Sequence, residues 1–478
     1  MLMKILGIIL PVFRKRKNKA RSQAVKKDFV SLEVSYRFCF LAVVLFCLQG
    51  LISNLGAIDM LFPDLPTPVS FQAGRSVHLN LSLFWTMIGA MGAAFYFTIQ
   101  ECSLELFSQR LAKLQFWLLL LTVLGILTSL AFGITEGREY LEALWVFKIG
   151  VALTLLLFVF NIGATMFKGR CWAQATVLTR VVGSFSLLVL FVPNIFHYNH
   201  PTTDDLVRFW VVHMWEEVSF ELIGGGLTGA LLIYLFKTPA GKIANILYLE
   251  LALAALSGIF ATGHHYYWIG TTKIWIYIGI IFSILQVVPV LLMVYTTIKS
   301  VQQLKISTLT GNRAVTLFML ASSLFHHLLG AAALGLFMSV PRINLFFHGT
   351  FMTSSHAHLA LFGALGFLVL TLCYFILTEE QELALKKLML SGMAVVILNI
   401  GLMVMASALF LAGLLQGYLV RAIGMEFMEV QNMVRPLLFI RAFGGLTYGL
   451  GAVLLTWSIL PAAWNKLKSK RALTGSQH

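Results

Sequence analysis

Twelve long apolar segments constrain the fold of this 478-residue chain more than any other feature of its sequence. A helix needs about 20 mostly apolar residues to cross the hydrocarbon core of a bilayer, and it satisfies its own backbone polar groups there. Because the connections are short, the sequence predicts an all-α integral membrane protein, a single bundle of 12 transmembrane helices. The predicted helices begin near Tyr36, His78, Lys113, Leu144, Val177, Val207, Ile243, Lys273, Ala314, Phe351, Leu388 and Pro436.

The composition excludes other classes of protein. Hydrophobic residues make up 59% of the chain and charged residues 12%, whereas a soluble domain carries about 25% charged residues. A large soluble domain, a disordered chain and a disulfide-rich secreted fold are therefore excluded. The cysteines are not closely paired in sequence, which favours small core residues over a disulfide or zinc framework. They are Cys39, Cys47, Cys102, Cys171 and Cys373.

The basic residues predict the orientation of the bundle. The net charge of +15 comes in short runs between apolar segments, which is typical of cytoplasmic loops and not of a nucleic-acid groove. We expect basic cytoplasmic tails at residues 1–35 and 463–478 around a membrane domain at 36–462, and no nucleic-acid partner. The apolar stretch Met1–Phe13 precedes its basic run, the reverse of a cleavable signal peptide, so none is predicted.

Six histidines are predicted to share one depth, near the outer face of the membrane. Ionisable groups at membrane depth are expensive and usually line a functional interior. A common depth on four helices favours a functional cluster over scattered polar residues that neighbouring helices satisfy. Arg180 and Glu250, in contrast, lie toward inner helix ends, where snorkelling to the interface is expected. The six histidines are His78, His213, His264, His265, His356 and His358.

The spacing of two of these histidines indicates haem ligation. His356 and His358 are two residues apart, so on a helix they diverge by about 200° and cannot easily share one metal ion. Each can be an axial ligand of a different haem, one on either side of the tenth helix. His78 can then complete a six-coordinate haem with one of them.

A second spacing indicates a separate metal ion. His213, Glu217 and Glu221 follow one another at four-residue intervals, which places them in one stripe of the sixth helix. Buried carboxylates are costly, at about 2.5–3.5 kcal/mol each on an insertion scale, and a nearby cation offsets that cost. His264 and His265 diverge by about 100° in a regular helix, but the preceding glycine and the helix end allow both to reach one ion. Three imidazoles and a carboxylate favour non-haem iron over Cu(I).

At these residues the sequence resembles the catalytic subunit of bacterial respiratory nitric oxide reductase, in the haem-copper oxidase superfamily. The resemblance covers essentially all 12 segments. The paired histidines and the His-x-His motif are shared with oxygen reductases, whereas the glutamate four residues after the sixth-helix histidine is typical of nitric oxide reductase. The most specific stretches are residues 75–81, 213–223, 263–270 and 348–358.

The resemblance implies a 12-helix bundle of haem-copper oxidase subunit I type and a role for each residue of these motifs. His78 and His358 would hold a low-spin haem b, and His356 a high-spin haem b3. Glu221 would lie beside the iron ligands, where it delivers protons or shapes the iron site. The implied ligands of the non-haem iron are His213, Glu217, His264 and His265.

The resemblance also assigns residues near the outer face. Arg75 would lie at a haem propionate, and His348 and Glu139 near the propionates and a calcium ion. The implied reaction is the reduction of two NO to N2O and water. Electrons would come from a membrane-anchored cytochrome c subunit, or from another donor such as quinol, in the bacterial inner membrane, and NO would arrive through the lipid.

The sequence departs from the family pattern at several positions. An additional Glu216 precedes Glu217, and Gln286-Val287 stands where the family usually has Glu-Pro. Since a neutral amide cannot carry a proton, the proton route or the substrate pocket is expected to differ. His326 and His327 match no family motif, and they are either a polar pair inside the bundle or part of a proton path. Val218 and Phe220 replace a glycine and a tryptophan.

Two alternative functions remain open from the residues alone. An oxygen-reducing terminal oxidase with copper in place of iron usually carries a tyrosine where this chain has Glu217, although Tyr266 or Tyr267 can substitute. A transporter or sensor of the same architecture without redox activity would contain no haem. The predicted catalytic residues are Glu217 and Glu221 under the favoured hypothesis.

Overall fold

The computed structural model of the chain describes residues 29–62, 64–303, 311–379, 381 and 383–475. Within them the structure is all-helical, and 12 helical spans are long and apolar enough to cross a membrane, as predicted. The protein is a multi-pass membrane protein. We number the spans α1 (Leu32–Leu61), α2 (Phe71–Cys102), α3 (Gln109–Ala131), α4 (Trp145–Gly169), α5 (Ala175–Ile195), α6 (Pro201–Phe236), α7 (Ala240–Tyr266), α8 (Ile274–Gln302), α9 (Asn312–Ser339), α10 (Phe351–Thr378), α11 (Leu385–Ile423) and α12 (Phe427–Lys468).

Several helices begin earlier than their apolar segments indicate. Helix α2 begins at Phe71, where the Ser70 side chain accepts a hydrogen bond from the Ala73 N–H and caps the helix. His78 therefore lies two turns inside α2 and not at its start. The helix of α12 continues to Gly475 and passes the predicted boundary at residue 462 without a break. Residues 1–28 of the predicted N-terminal tail lie outside the described residues, and both tail assignments stay predictions.

The two most buried spans are α2 and α10. In their most apolar windows, 94% of α2 and 83% of α10 are buried inside the bundle, against 22% of α8. Aromatic side chains fill the space between them and their neighbours, as where Phe97 of α2 stacks on Phe375 of α10. The two helices that carry the predicted haem ligands therefore form the centre of the bundle, whereas α8 presents most of its surface to lipid.

Four spans change from α-helical to π-helical hydrogen bonding for one or two turns. A π-helical turn inserts an extra residue into a helix, redirects the side chains around it and is frequent at functional sites. In α6 this turn directly follows His213, and in α10 it begins at His358. The π-helical stretches are Met214–Ser219 in α6, His327–Leu334 in α9, His358–Gly366 in α10 and Gly417–Ile423 in α11.

The prediction that all five cysteines are unpaired core residues is wrong for two of them. Cys102 at the end of α2 and Cys171 in the connection between α4 and α5 form a disulfide, with Cα atoms 5.5 Å apart. Their sequence separation of 69 residues conceals the pairing, because the two ends meet only when α2 packs beside the α4–α5 connection. Cys39 and Cys373 are buried free thiols, and Cys47 is half-buried.

The snorkelling expected for Arg180 and Glu250 is also absent. The Arg180 side chain is fully buried in α5, where it pairs with Glu101 and donates to the Gly226 carbonyl at 3.3 Å. Glu250 is 5% exposed on α7. Both side chains turn into the bundle because glycines of α6 leave space for them: a Cβ at Gly226 would contact the Arg180 stem, and one at Gly225 would contact the Glu250 carboxyl group.

Candidate metal and haem centre

Three imidazoles and one carboxylate converge between α6 and α7. Their ligand atoms all lie within 4.8 Å of one another. Glu217 Oε2 is 3.4 Å from His213 Nδ1, and Glu217 Oε1 is 3.5 Å from Nε2 of both His264 and His265. We call these four residues the α6–α7 cluster. The structure thus brings together all four residues that the sequence assigned to the non-haem metal.

The end of α7 explains how two adjacent histidines reach one point. The regular helix stops at Ala261, and a separate turn, Gly263–Tyr266, carries both histidines. Gly263 packs against the α8 backbone, where a Cβ would lie 2.9 Å from the Trp275 carbonyl oxygen and 3.0 Å from Gly279 Cα. Only glycine permits this close approach, which lets the chain redirect both imidazoles toward Glu217.

The cluster is chemically incomplete without a cation. His213 is fully buried, and neither of its ring nitrogens has a hydrogen-bond partner among the described residues; the same holds for both nitrogens of His265. His264 Nδ1 lies 3.0 Å from Ser283 Oγ, which leaves its Nε2 toward the cluster. Unpaired buried polar atoms are unfavourable. One cation at the centre would engage one nitrogen of each ring, and three nitrogens with one carboxylate oxygen suit iron.

Gln286 of α8 connects the backbone of Glu217 to the carboxyl group of Glu221. Its side-chain N–H group donates to the Glu217 carbonyl oxygen at 2.6 Å and to Glu221 Oε2 at 2.9 Å. The residue that departs from the family pattern therefore fixes Glu221 directly behind Glu217. As an amide it holds the two groups in place but cannot carry a proton between them. The side chain of Glu216 lies outside the described part of the chain.

His78 and His358 form a second site, which we call the α2–α10 pair. The planes of their rings make an angle of 26°, and the ring centroids are 6.1 Å apart. A metal about 2.0–2.1 Å from each of two facing imidazole nitrogens would hold the ring centroids roughly 6 Å apart. The pair therefore has the spacing of two axial ligands on opposite faces of a haem, which fits the expectation for a six-coordinate haem.

The Nδ1 atom of each imidazole in the α2–α10 pair already lies within hydrogen-bond distance of another group of the protein. His358 Nδ1 is 2.7 Å from the Ser354 carbonyl oxygen, so it donates and leaves Nε2 free. His78 Nδ1 lies 3.0 Å from the amide of Gln49, whose Oε1 has no other partner among the described residues. With the Gln49 amide turned so that Oε1 accepts from Nδ1, His78 also presents a free Nε2. Such partners orient metal-ligating histidines.

His356 faces the opposite side of α10. Its Nδ1 is 3.0 Å from the Gly330 carbonyl oxygen of α9, which leaves Nε2 for a metal. A Cβ at Gly335 would lie 2.9 Å from His356 Cε1, so glycine is required where the ring passes α9. His356 thus contacts α9, whereas His358 contacts His78 of α2. The two histidines face different neighbours, and their roles as ligands of two different haems stay a prediction.

The remaining predicted residues divide between the two sites: Arg75 and Glu139 pair with each other near His78, and His348 lies beside the α6–α7 cluster. Arg75 forms an ion pair with Glu139, and its charge acts on His78 together with that of Arg441. His348 lies elsewhere, with its ring 6.4 Å from that of His265. Burial lowers the pKa of His348 to about 4. Among the described residues, no second group of three or more metal-ligating side chains converges at Glu139, and calcium there stays a prediction.

Sequence reasoning missed a buried ionic group at the connection between α3 and α4. Lys148 of α4 is 1% exposed and forms an ion pair with Glu136 at 2.6 Å. Arg138 pairs with Asp204 at 3.0 Å and donates to the Asn194 carbonyl oxygen at 3.1 Å. These contacts tie the connection after α3 to the starts of α4 and α6. A lysine within an apolar segment, opposite an acidic loop, is the sequence signal that indicates such a pair.

Comparison with known proteins identifies the family. Residues 33–447 match the family model described as cytochrome c and quinol oxidase polypeptide I. The chain belongs to this family, that of haem-copper oxidase subunit I. The family consists of membrane oxidoreductases that bind haem and a further metal and that work with other subunits in respiratory complexes. The resemblance seen in the sequence motifs is therefore confirmed at the level of the family.

Individual members of the haem-copper oxidase family differ in their similarity to the chain. A nitric oxide reductase subunit from Stutzerimonas stutzeri is 31% identical over 92% of this chain and 95% of its own length. A cbb3-type cytochrome c oxidase subunit from the same organism is 23% identical over 84% of this chain and 88% of its own. The solved structure of a haem-copper terminal oxidase dimer has a TM-score of 0.73 at 16% identity, over 93% of this chain and 84% of that one. That likeness shows the shared fold.

Proposed function

We propose that the protein is the catalytic subunit of a nitric oxide reductase, which reduces two NO to N2O and water with two electrons and two protons. The observation that carries this proposal is the position of Glu217, whose carboxylate contacts all three imidazoles of the α6–α7 cluster. The 31% identity to the nitric oxide reductase subunit of Stutzerimonas stutzeri supports the same conclusion.

The main alternative is an oxygen-reducing oxidase, for which the sequence motifs require a tyrosine near the cluster. Tyr266 donates its hydroxyl to the Leu206 carbonyl oxygen at 2.8 Å, and Tyr267 donates to that of Ser339 at 3.0 Å. Both hydroxyl groups are thus engaged with backbone and not with the imidazoles. Neither tyrosine supplies the group that Glu217 replaces, which favours NO over O2 as substrate.

The residues divide between three bound groups. The α2–α10 pair would hold a low-spin haem b, His356 a high-spin haem b3, and the α6–α7 cluster a non-haem iron. When bound, these groups supply electrons and Lewis-acid sites for two NO molecules. The chain would contribute their placement, which lowers the entropic barrier to bringing two nitrogens together.

The carboxyl groups have distinct roles in the proposed reaction. Glu217 places a negative charge among three imidazoles, where it stabilises a cation and favours donation of electrons from the iron. Glu221 accepts from Gln286 with one oxygen and keeps the other for a proton. Since Gln286 cannot carry a proton, Glu221 is the group beside the cluster that can hold and release one.

The proposed setting is the bacterial inner membrane, with both termini cytoplasmic and the sites near the outer face. The basic runs of the sequence support this orientation. Because the sequence contains no Cys-x-x-Cys-His haem c motif, electrons must come from a partner. A membrane-anchored cytochrome c subunit is the favoured donor, and quinol is the alternative.

Spectroscopy and gas consumption test the proposal. The purified protein should show a reduced α band of haem b, two haems and one non-haem iron per chain. The reduced enzyme should consume NO faster than O2. Turnover of O2 alone, or stoichiometric copper without non-haem iron, would establish the oxidase instead. Absence of any haem band would favour a transporter or sensor of the same architecture.

A further inference from the structure

A buried carboxyl group on α7 has no part in the function proposed so far. Glu250 is 5% exposed, and its Oε1 has no hydrogen-bond partner among the described residues. An unpaired carboxylate in an apolar bundle is costly, so this position favours the neutral acid, which carries a proton. A protonated acid at this depth is a group that can store and donate a proton.

The Glu250 carboxyl group occupies a specific place beside α6. A Cβ on Gly225 would lie 2.3 Å from Glu250 Oε1 and 2.4 Å from Oε2, so the carboxyl group fills the space that any other residue at this position would take. Gly225 is four residues after Glu221 and eight after Glu217. Glu250 therefore supplies, from the neighbouring helix, the third carboxyl group of the stripe that begins at the α6–α7 cluster.

The members of this stripe follow one another at intervals of about one helical turn. Four residues of a helix rise about 6 Å, a separation that one water molecule or a side-chain rotation can bridge. Gln286 links Glu217 and Glu221 through its two hydrogen bonds. The charge of Glu221 acts on Glu250, and the Glu250 carboxyl group lies beside Gly225, one helical turn after Glu221. These two observations place the acid next to Glu221 in the stripe.

We propose that Glu250 carries a proton and passes it to Glu221 during turnover. This inference rests on the proposed function, because NO reduction consumes two protons together with two electrons from the external cytochrome c or quinol donor. Glu221 releases its proton toward the cluster and becomes a carboxylate. The O–H bond of Glu250 then breaks and its proton goes to Glu221, after which water protonates Glu250 again.

Infrared spectroscopy of the full-length protein with its haems and metal tests this role without measuring activity. The reduced-minus-oxidised difference spectrum of wild type should contain a carbonyl-stretch band of a protonated carboxyl group. Glu250→Gln should remove that band, and Glu250→Asp should shift it. The matched control is Glu33→Gln, since Glu33 is also buried, at 3% exposure, but is paired with Arg37 on α1; its band pattern should equal wild type. Identical spectra for wild type and Glu250→Gln would overturn the proposal.

Turnover supplies a second test. Glu250→Gln should slow NO reduction by at least about tenfold, with unchanged KM for NO and unchanged haem and metal content. Gly225→Ala should have the same effect, because its Cβ displaces the carboxyl group without removing it. Glu250→Asp should restore part of the rate. A wild-type rate in Glu250→Gln would refute the role.

The two proposals fail in different ways. If wild type reduces O2 and not NO, the proposed function is wrong, and the same variants are then compared in O2 turnover and in the infrared spectrum. If wild type reduces NO and Glu250→Gln matches it in rate and spectrum, the proton role of Glu250 is wrong and the proposed function stands.

Discussion

The α2–α10 pair and the α6–α7 cluster are held in opposite ways. In the pair, the Nδ1 atoms of His78 and His358 each have a protein partner, on two helices that are the most buried of the bundle. In the cluster, His213 and His265 have no hydrogen-bond partners among the described residues, and both supporting helices are irregular there.

This difference indicates which of the two sites depends on its bound group for its geometry. The protein orients the pair before any haem binds, since hydrogen bonds and packing fix both rings. The cluster brings together four metal-ligating side chains, whose ligand atoms a bound cation would engage. The geometry of the cluster and its metal should therefore stabilise each other. We therefore expect variants of the cluster to lose metal without disturbing the pair, and variants near the pair to change haem properties without loss of the metal.

The largest expected effect is that of His213→Ala. It removes a fully buried ligand from the cluster, so non-haem iron should be lost and NO reduction should fall by at least about a thousandfold. Both haems should remain, as measured by metal analysis and by the reduced visible spectrum. His200→Ala, an exposed position at the start of α6, is the control. Loss of both haems in His213→Ala would show that the two sites are not independent.

Loss of His356 should remove one haem and leave the other in place. His356→Ala removes the imidazole that faces α9 and should eliminate the high-spin haem signal and nearly all activity, while the low-spin signal of the α2–α10 pair persists. Quantification of haem per chain with low-temperature spectra measures this. Retention of both signals would mean that His356 is not an axial ligand.

Glu217→Ala should have a smaller effect on binding than His213→Ala. Three imidazoles remain, so affinity for iron should fall by about 10–100-fold, and added iron should restore occupancy of the site but not full activity. Titration of the metal-depleted protein with Fe(II) gives the affinity. Unchanged iron affinity would indicate that the carboxylate lies beside the metal without binding it.

The sequence predicted which side chains converge in the α6–α7 cluster better than it predicted the local backbone that presents them. Hydropathy located all 12 spans, and spacing alone separated His356 from His358. From the sequence, a break before Gly263 is only one of the conformations that the end of the helix allows. The break depends on close packing of this glycine against α8, which the sequence alone does not show. The π-helical turn after His213 and the partnership of Cys102 with Cys171 were not foreseen; the disulfide joins segments that are 69 residues apart in sequence.

The behaviour of Glu250 and Gln286 shows the same limit. Position along a helix suggests snorkelling for a carboxyl group near an inner end, yet the decisive factor is a glycine on another helix that leaves a place for it. Substitution of an amide at position 286 suggested a lost proton carrier, and only the structure shows that the amide holds the two carboxyl-bearing residues Glu217 and Glu221.

Gln49→Leu should alter the α2–α10 pair alone. Removing the amide deprives His78 Nδ1 of its partner, which lowers the basicity of the ring as a ligand. The midpoint potential of the low-spin haem should therefore rise, by an amount that redox titration of its α band measures. Iron content of the cluster should stay at the wild-type level. An unchanged potential would show that Gln49 does not tune His78.

The smallest expected effect concerns stability near the pair. Glu142 is buried in the outer connection, where Asn80, two residues after His78, donates to its Oε2 at 3.1 Å. Burial raises the pKa of Glu142, although hydrogen bonds and the charge of Arg75 oppose the shift. The folded state therefore holds this proton more tightly than the unfolded state does. Its stabilising contribution is complete below the ordinary glutamate pKa of 4.5 and is lost as the pH rises through the folded-state value.

Glu142→Gln removes this titration and keeps an oxygen for Asn80. The variant should melt at a slightly higher temperature relative to wild type as the pH rises above 4.5, by about 1–2 °C, and the two should converge at lower pH. Melting curves in detergent at several pH values measure the difference. A difference that is constant with pH would mean that Glu142 does not titrate in this range, and that the polar contacts beside His78 are set by hydrogen bonding alone.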